Sequence, residues 1–104
     1  MIAMNKELFD KALAGDRPVL VEFWAPWCTY CRRIAPALSK IDAEYSDRMV
    51  VAQVNIDDVP ELEEQEGIEL IPTMIIYKGG KALDSIVAPD SKAKIDSFIR
   101  EQLG

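Results

Sequence analysis

Histidine is absent from this chain of 104 residues, and cysteine occurs only twice, at Cys28 and Cys31. Structural zinc takes four nitrogen or sulfur ligands, more than one copy of the chain supplies. An iron–sulfur cluster shared between two chains stays open. Covalent haem attachment is excluded, because Arg32 stands where a Cys-x-x-Cys-His motif needs its histidine. Basic residues are also scarce: 12 Lys and Arg face 18 Asp and Glu, a net charge of −6. A nucleic-acid footprint needs a basic face, and anionic membranes draw basic segments, so neither partner is expected. No apolar run approaches the roughly 20 residues that cross a bilayer. The start, Met1 to Glu7, has no basic stretch leading into a long apolar one, so a secretory signal is not expected and the protein is placed in the cytoplasm. Repeats, low-complexity tracts and linkers are missing as well. What remains is 49% hydrophobic and 29% charged, an ordinary globular balance that supports one domain, residues 1–104, around one core.

The two cysteines sit together in Trp27-Cys28-Thr29-Tyr30-Cys31, between an apolar run and a helical pattern. In a first helical turn, residues three apart bring their Cα atoms within the roughly 4.4–6.8 Å that a disulfide spans. The loop so closed is minimal. Chain entropy then contributes only about 2 kcal/mol, against about 3 for a loop of roughly 15 residues. Such a pair is a poor staple, and in a reducing cytosol it reads as catalytic or metal-binding. Disulfide exchange needs a thiolate. Cys28 is expected at a helix N-terminus, where unpaired N–H groups and the dipole favour negative charge, with Arg32 and Arg33 adding positive potential. Cys31, a turn deeper, is expected to be more buried. The asymmetry assigns attack on the substrate to Cys28 and resolution of the mixed disulfide to Cys31.

Periodicity predicts the surrounding elements. Asn5 is a candidate N-cap for a helix with Leu8, Phe9, Ala12 and Leu13 on one face. Val19 to Ala25 is nearly all apolar, as in a central strand covered on both faces. A helix follows to about Asp47 with Ile34, Ala37, Leu38, Ile41 and Tyr45 inward, and Pro36 is expected to kink it. Val50 to Ile56 is a second strand. Asp57 to Pro60 is a turn capping a short acidic helix, whose Glu61, Glu63, Glu64 and Glu66 read as a solvated face. Thr73 to Tyr77 and Ala82 to Val87 form a hairpin about Gly79-Gly80. A last helix runs from about Ser91 to Leu103, with Ile95, Phe98, Ile99 and Leu103 on one face. The order describes an α/β fold, a mixed sheet with helices on both sides.

Within this frame Glu22 is anomalous. A carboxyl in the middle of an apolar strand is costly to bury unless neutral or paired, and desolvation raises its pKa. Facing the cysteines, it would accept and return the proton of Cys31, directly or through water. The competing reading is a residue at a sheet edge, or one simply hydrogen-bonded. Pattern alone leaves the isomer of Ile71-Pro72 open, trans being the common form. Trp24 is expected in the core, and Trp27 and Tyr30 exposed around the thiols.

Taken together, Phe23-Trp24-Ala25-Pro26-Trp27-Cys28, Cys31, Ile34-Ala35-Pro36, Asn55-Ile56-Asp57, Ile71-Pro72-Thr73 and Lys78-Gly79-Gly80 resemble the thioredoxin family over nearly the whole chain. The resemblance implies the thioredoxin fold and a cytosolic dithiol–disulfide oxidoreductase. Such a protein is reduced by a thioredoxin reductase and passes electrons to protein disulfides, as a monomer with no bound cofactor or metal beyond the redox-active Cys28–Cys31 disulfide. It implies that Pro72 is cis and faces the cysteines, and that Ile71 offers backbone hydrogen bonds to a peptide. Trp27, Thr29, Tyr30 and Ala88 complete the implied substrate surface. Glu22 takes the place of the family's buried carboxylate, usually Asp. Three departures stand out. Thr29-Tyr30 replaces the usual Gly-Pro, Gln53 replaces a Lys that often accompanies the carboxylate, and Leu70 and Ala88 stand where glycines are common. The dipeptide helps set the reduction potential, which spans about −270 to −120 mV in related proteins, about 7 kcal/mol for two electrons. A more oxidising oxidase or isomerase, or a binding module without turnover, therefore stands beside the reductase reading.

Overall fold

The computed structural model describes residues 1–104. Five strands form one sheet: β1 (Ile2–Ala3), β2 (Val19–Trp24), β3 (Val50–Asn55), β4 (Thr73–Lys78) and β5 (Lys81–Val87), in spatial order β1-β3-β2-β4-β5. β1 and β2 pair parallel to β3, β4 pairs antiparallel to β2, and β5 antiparallel to β4. The helices are α1 (Lys6–Leu13), α2 (Thr29–Tyr45), α3 (Pro60–Gln65) and α4 (Lys92–Leu103). This is the mixed, helix-flanked sheet that the pattern predicts, and it is the thioredoxin fold. No helix is long and apolar enough to cross a membrane.

Strand alternation sorts the core into two layers. Val19, Val21 and Phe23 of β2 pack with Phe9 of α1 and Leu62 of α3. Leu20 points the other way, into a layer with Ile34, Leu38 and Ile41 of α2 and Ile95, Phe98 and Ile99 of α4. β2 is thus covered on both faces, which is why its sequence is apolar at every position but Glu22. Each fully buried Leu or Ile contributes about 1.5–3 kcal/mol by leaving water.

Local chemistry ends the elements. The Asn5 side chain accepts the Leu8 N–H, and the Ser91 side chain accepts the Lys94 N–H, capping α1 and α4. Gly79 and Gly80 both take positive φ, 62° and 79°, as a two-residue hairpin turn requires.

Several expectations are corrected. β1 has no counterpart in the periodicity: two residues are too few to alternate, and only pairing at the edge of β3 makes them a strand. α2, with Pro36 inside it, ends at Tyr45, two residues short of Asp47. The Asp57–Pro60 turn does open α3, with Val59 at the N-cap position without a side-chain bond and Pro60 in the first turn. Leu8 is exposed, and Trp24 at the end of β2 is half-buried. Glu66 is more than a solvated acid, since it accepts the buried Tyr77 hydroxyl at 2.5 Å.

Candidate active site

β2 is the central strand. The chain leaves it through α2 to β3 on one side, and returns through α3 to β4 on the other. Open α/β sheets form their crevice where the connections diverge, at the carboxyl ends of strands. Here the carboxyl end of β2 runs through Ala25, Pro26 and Trp27 into Cys28.

Cys28 is the N-cap residue of α2, with extended backbone (φ −80°, ψ 108°). Its sulfur accepts the backbone N–H of Cys31 at 3.1 Å. One of the helix's unpaired donors is therefore aimed at Sγ, beside the positive end of the dipole. Cys28 and Cys31 form a disulfide with their Cα atoms 5.2 Å apart. Both are largely buried, Cys31 more deeply (2% exposed against 8%). Arg32 and Arg33 follow, but their side chains turn elsewhere. The Arg32 guanidinium donates to the Pro26 carbonyl at 2.8 Å, and that of Arg33 lies 5.9 Å from the centre of the Tyr30 ring.

The second wall comes from the start of β4. The Ile71–Pro72 peptide bond is cis, and the Ile71 carbonyl oxygen lies 4.0 Å from Cys28 Sγ. The Thr73 hydroxyl donates to the Leu70 carbonyl at 2.5 Å, and the Ala88 N–H donates to the Pro72 carbonyl at 2.8 Å. Ala88, after β5, has φ 46°, the left-handed region where glycine is at ease. Leu70 has no such backbone and is well exposed. Leu70 and Val87 line one shallow pocket with Thr73 and Ile75, and Trp27, next to Cys28, is also exposed. The Trp27 indole N–H donates to the Asp57 carboxylate, 3.0 and 3.2 Å to its two oxygens. Tyr30 is half-buried rather than exposed, because its hydroxyl bonds to the Ala88 and Pro89 carbonyls.

Glu22 does not reach a sheet edge. It stands mid-way along β2, between Gln53 of β3 and Met74 of β4, and is 1% exposed. Gln53 Nε2 donates to its Oε1 at 2.8 Å, while Oε2 has no hydrogen-bond partner. Loss of water around the carboxyl is the larger effect and pushes its pKa up from 4.5 to about 7, against the weaker downward pull of the Gln53 bond. A neutral amide stabilises the carboxylate less than an ammonium would. Gln53 also lines a cavity of about 340 Å³ with Trp24 and Asn55. No group of three or more Cys, Asp or Glu is placed to hold a metal ion.

The structure therefore gathers Cys28, Cys31, Trp27, Tyr30, Ile71, Pro72 and Ala88 about one crevice, with Thr29 exposed at the first position of α2. Sequence reasoning missed Asp57 as the partner of Trp27 and Pro89 as an acceptor for Tyr30. Asp57 is legible as a turn acid and as part of the Asn55-Ile56-Asp57 motif, neither of which points to Trp27, and a backbone carbonyl leaves no mark in a sequence.

A thioredoxin-type sheet carrying a disulfide at a helix N-terminus, against a cis-proline, defines a dithiol–disulfide oxidoreductase. Comparison with known proteins agrees. The thioredoxin family model matches residues 1–101, and the chain belongs to the thioredoxin family. It is 39% identical to a thioredoxin of Alicyclobacillus acidocaldarius subsp. acidocaldarius, over 91% of this chain and 90% of that one. It is 45% identical to a thioredoxin of Acidithiobacillus ferridurans, over 88% and 84%. A chloroplastic M-type thioredoxin of Zea mays is 36% identical across all of this chain and 62% of its own length. Membership implies protein substrates and a reductase as electron donor, in general terms.

Proposed function

We propose that Cys28 is the nucleophile, Cys31 the resolving thiol and Glu22 the proton carrier of a reductase acting on protein disulfides. The observation that carries this is the N-cap position of Cys28, whose sulfur faces both the Cys31 N–H and the Ile71–Pro72 wall. In the reduced protein, the Cys28 thiolate attacks one sulfur of a substrate disulfide. That S–S bond breaks, a mixed disulfide forms at Cys28, and the departing thiolate takes up a proton. Cys31, its proton passed to Glu22, then attacks Cys28 Sγ and expels the second substrate thiolate. Two electrons move from the dithiol to the substrate, and the Cys28–Cys31 disulfide is left for a reductase to reopen.

A carboxyl titrating at about 7 is matched to such a relay, being able to take and return a proton near neutrality. The exposed Trp27, Thr29, the Ile71 backbone, Pro72 and Ala88 supply the surface on which a polypeptide lies, flanked by Tyr30. The same reading includes a cytosolic monomer fed by a thioredoxin reductase, with Thr29-Tyr30 setting the potential. An insulin-disulfide reduction assay tests it. Wild type is expected to be active and Cys28→Ser inactive, and equal activity in both would sink the proposal.

A further inference from the structure

Tyr30 lies between the two cysteines, and its hydroxyl reaches across the crevice. It is 3.2 Å from the Ala88 carbonyl oxygen and 3.3 Å from that of Pro89, one donor shared between two acceptors. Ala88 in turn donates its N–H to the Pro72 carbonyl at 2.8 Å. The first turn of α2, the Ala88–Pro89 turn and the Ile71–Pro72 wall are thus joined in series around Cys28. The middle link is the least at ease: Ala88 holds φ 46° without being glycine, a conformation that persists only when its surroundings impose it. The Pro72 carbonyl holds Ala88 from one side and the Tyr30 hydroxyl from the other. The Tyr30 ring is itself fixed by partial burial and by the Arg33 guanidinium near its face.

We propose that Tyr30 is a positioning residue for polypeptide disulfides, its hydroxyl strapping the Ala88–Pro89 turn to α2 so that the crevice is pre-shaped for an extended backbone. The proposal rests on the docking reading above. A polypeptide lying along Ile71 meets the Ala88 wall on its far side, whereas a small disulfide with no flanking backbone touches only the sulfur. The strap therefore favours polypeptide substrates over small disulfides. It does so by fixing a wall before binding, which lowers the cost of ordering the complex.

Tyr30→Phe keeps the ring and removes only the hydroxyl. Its kcat/KM for insulin disulfide, divided by that for hydroxyethyl disulfide, is expected to fall about fivefold, the worth of one neutral hydrogen bond, with the loss in KM. Without any substrate, hydrogen exchange at the Ala88 amide is expected to quicken several-fold, since its turn is released. An unchanged ratio, or an unmoved Ala88 amide, would overturn the strap. Wild type that reduces hydroxyethyl disulfide but no polypeptide disulfide would overturn the docking reading instead, with Ala88 exchange still judging the strap.

Discussion

Glu22 shows how one buried side chain ties stability to pH. Its carboxyl titrates near 4.5 in an unfolded chain and at about 7 in the folded one. Below the lower value it is neutral in both states and costs nothing. As pH rises from there, the unfolded chain releases this proton and the folded one keeps it, so stability declines, levelling off above about 7 at a penalty of about 3 kcal/mol. Glu22→Gln cannot ionise. Its gain over wild type in urea unfolding is expected to grow between about pH 4.5 and 7 and then hold steady. The same change should slow thiol–disulfide exchange, by up to about a hundredfold, if the carboxyl carries the proton of Cys31. An unchanged rate would remove it from the mechanism. Ala88 makes a second case. An alanine in the left-handed region costs about 1–2 kcal/mol, partly offset in a glycine variant by a looser unfolded chain. Ala88→Gly is expected to stabilise by about 0.5–1 kcal/mol in thermal unfolding. The cysteines and Glu22 were legible because each breaks a local pattern. The contacts of Tyr30 were not, because they end on carbonyls fifty-eight and fifty-nine positions away.

Elements were legible where a side chain both starts and faces something. Asn5 was named from the sequence as an N-cap and does cap α1, while Ser91, read only as the start of the last helix, caps α4. Ser91→Ala is expected to cost about 1 kcal/mol in chemical denaturation, by orphaning the Lys94 N–H. The run Val19 to Ala25 was readable as a covered strand because both of its faces are core. α2 was readable at its start, since Cys28 was expected at a helix N-terminus and is the N-cap, its sulfur accepting an N–H as a Ser or Asp oxygen would. β1 was invisible, since only its partner β3 makes it a strand. The Tyr77–Glu66 bond, which ties the end of α3 to β4, crosses between elements and leaves no periodic trace.

At the scale of the whole molecule, the sheet brings the cysteines at the start of α2, the proline just before β4 and Ala88 just after β5 to one crevice. The topology thereby turns an inefficient crosslink into a redox site. Membership of the thioredoxin family gives the class of reaction, while the proposed mechanism turns on which sulfur attacks. That last assignment is the central claim, and trapping tests it most directly. Cys31→Ser, mixed with an insulin disulfide, is expected to accumulate a mixed disulfide that mass spectrometry maps to Cys28, and Cys28→Ser is expected to form none. An adduct at Cys31 in the Cys28→Ser protein, with nothing at Cys28 in the other, would contradict the account.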